Sequence, residues 1–168
     1  PNFDRLLAWL TPMQLDVLVL QEVAATKKAN RVSVLATKLG MQSHVTVQDV
    51  AVLSRWPLGH VALVPRDSDH HQVLRHRPST TWRESERFQR RLIIAEVIPD
   101  EDMPFEVACV HFDHHSEPHR FSQWKALRTA LGALPSAPRL LMGDMNALTQ
   151  SDYNAAEWRH VAAIRERS

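Results

Sequence analysis

Apolar residues along this chain follow two rhythms, one helical and one extended, and the helical one comes first. Phe3, Leu6, Leu7 and Leu10 fall at the i, i+3, i+4, i+7 spacing of an amphipathic helix, with Asn2 placed as its N-cap and Pro12 as a stop. Residues 17–20, Val-Leu-Val-Leu, form a continuous β-branched-rich run, too short for a helix and typical of a strand buried on both faces. Helical spacing returns at Val32, Leu35, Ala36 and Leu39, and Gly40 stands where a left-handed glycine closes a helix.

The extended rhythm then takes over. Strands are predicted over residues 44–48, 50–54 and 60–64, with Trp56, Pro57, Leu58 and Gly59 as the turn between the last two. Residues 65–89 show no clean period. Residues 92–95 and 105–110 read as two further strands, separated by a polar stretch at 99–102 suited to a hairpin loop. A helix should follow, with Phe121, Trp124, Leu127, Leu131 and Leu134 as its apolar stripe, Ser116 as cap and Pro135 near its end. Residues 139–142 form another strand, and a last helix is capped by Ser151 with Trp158, Val161 and Arg165 along one side. There is no internal repeat and no low-complexity linker.

Composition narrows the class. A chain of 168 residues, 44% hydrophobic and 23% charged, fits one globular domain over 1–168 with a sizeable core. No apolar run approaches the ~18 residues of a membrane span, and Pro1-Asn2-Phe3-Asp4 opens nothing like a signal peptide, so a soluble protein is expected. Cys109 is the only cysteine, which excludes an intrachain disulfide and a cysteine zinc cage and points to a reducing, cytoplasmic setting. A net charge of +1 supplies no broad basic footprint for nucleic acid. Residues 66–91 do hold seven arginines against four acids, and read as a solvated irregular segment in preference to a substrate-facing patch.

Three apolar strands each lead into polar groups capable of chemistry: the first into Gln21 and Glu22, the second into His111, the third into Gly143-Asp144-Met145-Asn146. If their C-terminal ends meet at one rim, the groups converge while the apolar runs hold them rigid. Glu22 could give magnesium a hard oxygen ligand, with Gln21 orienting it; a surface carboxylate at a strand end is the plainer alternative. In the Gly143 to Asn146 run the glycine permits a sharp turn, a carboxylate can align water and an amide can donate to phosphate, although Gly, Asp and Asn also make ordinary turns. His111 could donate to a phosphoryl oxygen, or be a half-buried histidine bonded to backbone. With Asp113, His114, His115 and His119 it also allows a zinc reading, at a spacing that matches no two-histidine helical motif.

Taken together, these residues resemble the endonuclease/exonuclease/phosphatase superfamily, the DNase I-like fold. Four motifs occur in order: Asp16-Val-Leu-Val-Leu-Gln21-Glu22; Ala51-Val-Leu-Ser54-Arg55-Trp-Pro-Leu58; Val110-His111-Phe112 followed by Arg120 and Gln123; and Leu141-Met-Gly143-Asp144-Met-Asn146. The resemblance implies a four-layer α/β sandwich of two mostly antiparallel sheets with helices outside, and a Mg²⁺ or Mn²⁺ site at one rim. It casts Glu22 as the metal ligand, Asp144 as the residue that orients or activates the attacking water, Asn146 as a ligand of the scissile phosphate and His111 as a transition-state donor. It gives Ser54 and Arg55 a structural part.

The implied activity is hydrolysis of a phosphoester, on nucleic acid or a smaller phosphorylated substrate. Two parts of the family pattern are absent: a first strand with an asparagine near the metal, and a closing Ser-Asp-His triplet, for which Ser151-Asp152-Tyr153 comes too soon. The expectation is therefore a partial domain, poorly active by itself. A non-catalytic relative serving as an interaction module is the competing reading.

Overall fold

The computed structural model describes residues 3–23, 31–64, 72–74, 92–99, 103–114, 117–147 and 149–165. Chain order is α1 (Phe3–Leu10), a 3₁₀ turn (Thr11–Met13), β1 (Val17–Gln21), α2 (Arg31–Lys38), β2 (Ser43–Val47), β3 (Val50–Ser54) and β4 (Leu58–Val64). Then come β5 (Gln72–Leu74), β6 (Leu92–Val97), β7 (Phe105–His111), α3 (Glu117–Ala133), β8 (Arg139–Asp144), a second 3₁₀ turn (Gln150–Asp152) and α4 (Ala155–Arg165). Asn2, Ser116 and most of the arginine-rich stretch lie outside the described residues. Among those described, no helix is long and apolar enough to cross a membrane.

The strands make two sheets. One has the order β1-β3-β2 and is antiparallel throughout; the other has the order β5-β4-β6-β7-β8 and is antiparallel except where β8 runs parallel to β7. Side chains alternate across each strand, so β1, β3, β4, β6 and β7 each feed two layers. Between the sheets lie Val50 and Val52 from one and Val61, Leu63, Ile93, Ala95, Val107 and Cys109 from the other. Outside the first sheet, Ala51 and Leu53 pack against Leu10 of α1 and Val32, Leu35 and Ala36 of α2. Outside the second, Ala62, Ile94, Ala108 and Val110 pack against Leu127 and Ala130 of α3. The expected four-layer α/β sandwich is the observed one.

Local chemistry ends α2 as the pattern predicts. Gly40 takes φ +70°, its N–H donates to Thr37 O and the Met41 N–H to Ala36 O, a Schellman closure that returns Met41 to the core beside Ala36.

Four expectations need correction. β1 is half-buried along its length and not fully buried as expected, although both its faces are covered, Val17 and Val19 by the core between the sheets and Leu18 and Leu20 by the core under the helices; among the described residues it has one hydrogen-bonded neighbour. Leu58 and Gly59 belong to β4, and the link from β3 is a crossing between sheets, not a hairpin turn. Asn154 caps α4, its Oδ1 accepting from the N–H groups of Ala156 and Glu157, while Ser151 lies in the preceding 3₁₀ turn. Finally, α3 buries Arg120, Gln123, Leu127 and Ala130, whereas Phe121 is 56% exposed and Trp124 is 36% exposed.

Candidate active site

β1, β7 and β8 bring their C-terminal ends to one rim of the sandwich. The parallel pairing of β7 with β8 sets His111 opposite Asp144 in register. Across the sheets, Gln21 Nε2 lies 3.9 Å from Cys109 Sγ, two residues before His111, and the thiol reaches Leu20 O and Ala51 O at 3.9 and 3.8 Å. The turn between β2 and β3 closes the gap: Asp49 O accepts from the Val23 N–H at 3.0 Å, and Asp49 Oδ2 accepts from His111 Nδ1 at 2.7 Å. Glu22, held between Gln21 and Val23, is exposed and adopts φ +56°, a left-handed turn that ends the strand.

His111 is 2% exposed, so its ring is fixed by packing as well as by Asp49. Asp49 Oδ1 is buried and has no partner among the described residues. Burial pushes the Cys109 thiol up to about 12, with Asp49 adding to the rise and the Gln21 contact opposing it. A thiol so protonated is a packing group and no nucleophile.

The Gly143 to Asn146 run is an ordered turn. Gly143 has φ +131°, and a Cβ there would sit 2.0 Å from Val110 O, so only glycine lets β8 approach β7 at this point. Asp144 Oδ1 accepts from the Asn146 N–H at 2.7 Å, Phe112 N–H donates to Asp144 O at 2.9 Å, and Asn146 Nδ2 donates to Phe112 O at 2.9 Å. Asn146 holds φ +47°, tolerable for asparagine, while Met145 packs against the outer core. Asp144 remains exposed.

Among the described residues, no group of three or more His, Cys, Asp and Glu side chains could cage a metal ion. His111, Asp113, His114 and His119 thus form no such group by themselves, and His115, the fifth residue of the zinc reading, lies outside the described residues. A cage is not what magnesium asks for, since it accepts one or two carboxylates and keeps several waters. Glu22, an exposed carboxylate next in sequence to Val23, whose N–H is held by Asp49 O, fits such a hydrated hard cation.

A model of the endonuclease/exonuclease/phosphatase family matches residues 1–160. The chain belongs to that family. No curated protein matches it. Among solved structures it is similar to an endonuclease/exonuclease/phosphatase family protein from Leptotrichia buccalis, with TM-score 0.59 and 18% identity over 96% of this chain and 65% of that one. It is similar to TDP2 of D. rerio complexed with single-strand DNA product, with TM-score 0.58 and 15% identity over 95% and 57%. ANGEL2, a 2′,3′-cyclic phosphatase, gives TM-score 0.60 and 15% identity over 89% and 44%. The chain thus spans 65% or less of the solved chains it resembles.

Within this endonuclease/exonuclease/phosphatase frame, the rim gathers the elements that carry all four residues singled out by sequence. Glu22 follows β1, His111 ends β7, and Asp144 and Asn146 stand at the end of β8. Ser54 and Arg55 lie at the opposite end of the first sheet, since Val17 pairs with Ser54 and Gln21 with Val50. There Arg55 Nε donates to Leu15 O at 2.9 Å, tying β3 to the entry of β1, and Ser54 Oγ accepts from the Trp56 N–H at 3.0 Å. Sequence reasoning missed Asp49, whose partner is 62 residues away and which sits in what looks like a plain two-residue turn.

Proposed function

We propose that this rim is the hydrolytic centre of a phosphoester hydrolase acting on nucleic acid or a smaller phosphorylated substrate. The supporting observation is the His111 to Asp49 hydrogen bond, which joins the end of β7 to the turn that also holds the backbone beside Glu22. Family membership and a fold shared with TDP2 and ANGEL2 support the same chemistry.

In this reading Glu22 holds Mg²⁺ or Mn²⁺, which when bound stabilises charge on phosphate oxygens. Asp144 keeps one carboxylate oxygen on the Asn146 N–H and turns the other toward water, orienting it for attack on phosphorus. Asn146, its amide aimed by the bond to Phe112 O, contacts the phosphate through its side chain. His111, its Nδ1–H held by Asp49, presents its other ring nitrogen to the phosphoryl oxygen that gains charge in the transition state.

The test is hydrolysis of single-stranded DNA, RNA and a generic phosphodiester by the native-length protein with Mg²⁺, with EDTA, and with Glu22→Gln. Turnover that EDTA abolishes and Glu22→Gln cripples is expected. Full activity in EDTA removes the metal from the mechanism, and no turnover of any phosphoester leaves a non-catalytic relative.

A further inference from the structure

The helix α3 turns two polar side chains, not its large apolar ones, into the protein. Gln123 is 2% exposed and Arg120 is 7% exposed, while Phe121 and Trp124 face outward. Burying an amide and a guanidinium is unfavourable unless they bond to something specific, and both grip the same short loop. Gln123 Oε1 accepts from the Asp113 N–H at 2.8 Å, and Arg120 Nη1 donates to Asp113 O at 3.0 Å, with Glu117 holding the other end of the guanidinium.

The Asp113 N–H and the Phe112 carbonyl belong to one peptide group. A trans peptide is planar, with its N–H and C=O pointing in opposite directions, so a bond to one end fixes the aim of the other. At that other end, Phe112 O accepts from Asn146 Nδ2 at 2.9 Å. A chain of contacts therefore runs from the buried face of α3, through a single peptide plane, to the side-chain amide at the rim. Phe112 is fixed at its own N–H too, which donates to Asp144 O.

We infer that Gln123 is a positioning residue for Asn146: by holding the Phe112–Asp113 peptide it sets the orientation of the Asn146 amide at the rim. The inference rests on the reading of Asn146 given above, and it explains why a helix gives buried positions to polar side chains while tryptophan and phenylalanine stay outside. Gln123 touches no substrate in this account; its effect passes entirely through Asn146.

The experiment uses ¹⁵N-labelled native-length protein, with Gln123→Met, which keeps length and loses the acceptor, and Gln123→Glu, which keeps an acceptor. In the Met variant the Asn146 side-chain amide signals should shift and exchange faster with solvent, and in the Glu variant they should stay in place. Alongside, kcat/KM on a phosphodiester should fall about tenfold in Gln123→Met, the worth of one hydrogen bond. In an Asn146→Ala background the same substitution should cost less than about threefold, because the group it positions has gone. Additive losses, or Asn146 signals unmoved in a folded Gln123→Met protein, overturn the inference. If Gln123→Met does not fold, Gln123→Glu decides: Asn146 signals displaced while melting is unchanged refute it, and signals in place support it. A wild-type protein that hydrolyses nothing would sink the functional reading, yet the amide signals would still decide this one.

Discussion

Asp49 and His111, 62 positions apart, meet across the two sheets through a 2.7 Å hydrogen bond, and the imidazole in it is almost fully enclosed. A carboxylate on Nδ1 fixes the tautomer, and in the proposed function the opposite nitrogen serves the substrate. Asp49→Asn keeps an acceptor and the turn but removes the charge. Hydrogen bonds to charged groups are worth about 1.5–3 kcal/mol, so kcat should fall roughly 10- to 100-fold. Steady-state kinetics beside thermal melts check this; an unchanged kcat reduces the pair to a structural contact.

Asp144→Asn should separate chemistry from architecture. The asparagine Oδ1 can still accept from the Asn146 N–H, so the turn and the melting temperature should survive. What goes is the carboxylate charge that orients water in the proposed function, and general-base contributions of ~10²- to 10⁴-fold set the expected loss in kcat, with KM little changed. A kcat within a few-fold of wild type would make Asp144 an ordinary turn residue.

Gly143→Ala tests the close approach of β8 to β7. Its Cβ would meet Val110 O at 2.0 Å in a backbone already at φ +131°, so the strand must shift or the residue must strain. A cost of about 3 kcal/mol is expected, read as a lower denaturant midpoint with unchanged m. Stability equal to wild type would mean that β8 moves away freely, and activity should then be lost in its place.

Burial lowers His44 from its ordinary value of 6.5, so the unfolded chain takes up a proton that the folded chain resists. The stability involved is fully present above 6.5 and is lost as pH falls from there through the lower folded value. Melting temperature should therefore fall as the pH is taken below 6.5, and His44→Gln should flatten that fall. A slope identical in the two proteins would clear His44 of the effect.

Most of the sandwich could be read from the sequence because local signals and burial agree. The Val17 to Leu20 run is a strand, residues 50–54 are strand β3, and Gly40 closes α2 as a left-handed glycine should. The rim residues were legible for a related reason, since each stands where an apolar run stops. What failed was reading α3 by apolarity. Its buried face is chosen by the loop it must hold, so Arg120 and Gln123 displace Phe121 and Trp124 from the inside. Asp49 was invisible because its importance lies wholly in a partner brought up by the other sheet. Which strands share a sheet was likewise hidden, as nothing local distinguishes a crossing at residues 55–57 from a turn within one sheet.

β8 is exposed at all six positions, with Leu140, Leu141 and Met142 each more than a third open to solvent, although it carries Asp144 and leads to Asn146. Its hydrogen-bonded neighbour β7 is almost wholly buried from Glu106 onward. Among the described residues the two halves of the rim thus differ in how firmly they are anchored: His111 is enclosed in the interior, whereas Asp144 and Asn146 follow a strand with one hydrogen-bonded neighbour. Amide hydrogen exchange should release β8 well before β7, so the rim can come apart by peeling at one edge while the rest of the molecule stays folded. The first sign of damage to this protein would then be a broken constellation in an intact fold.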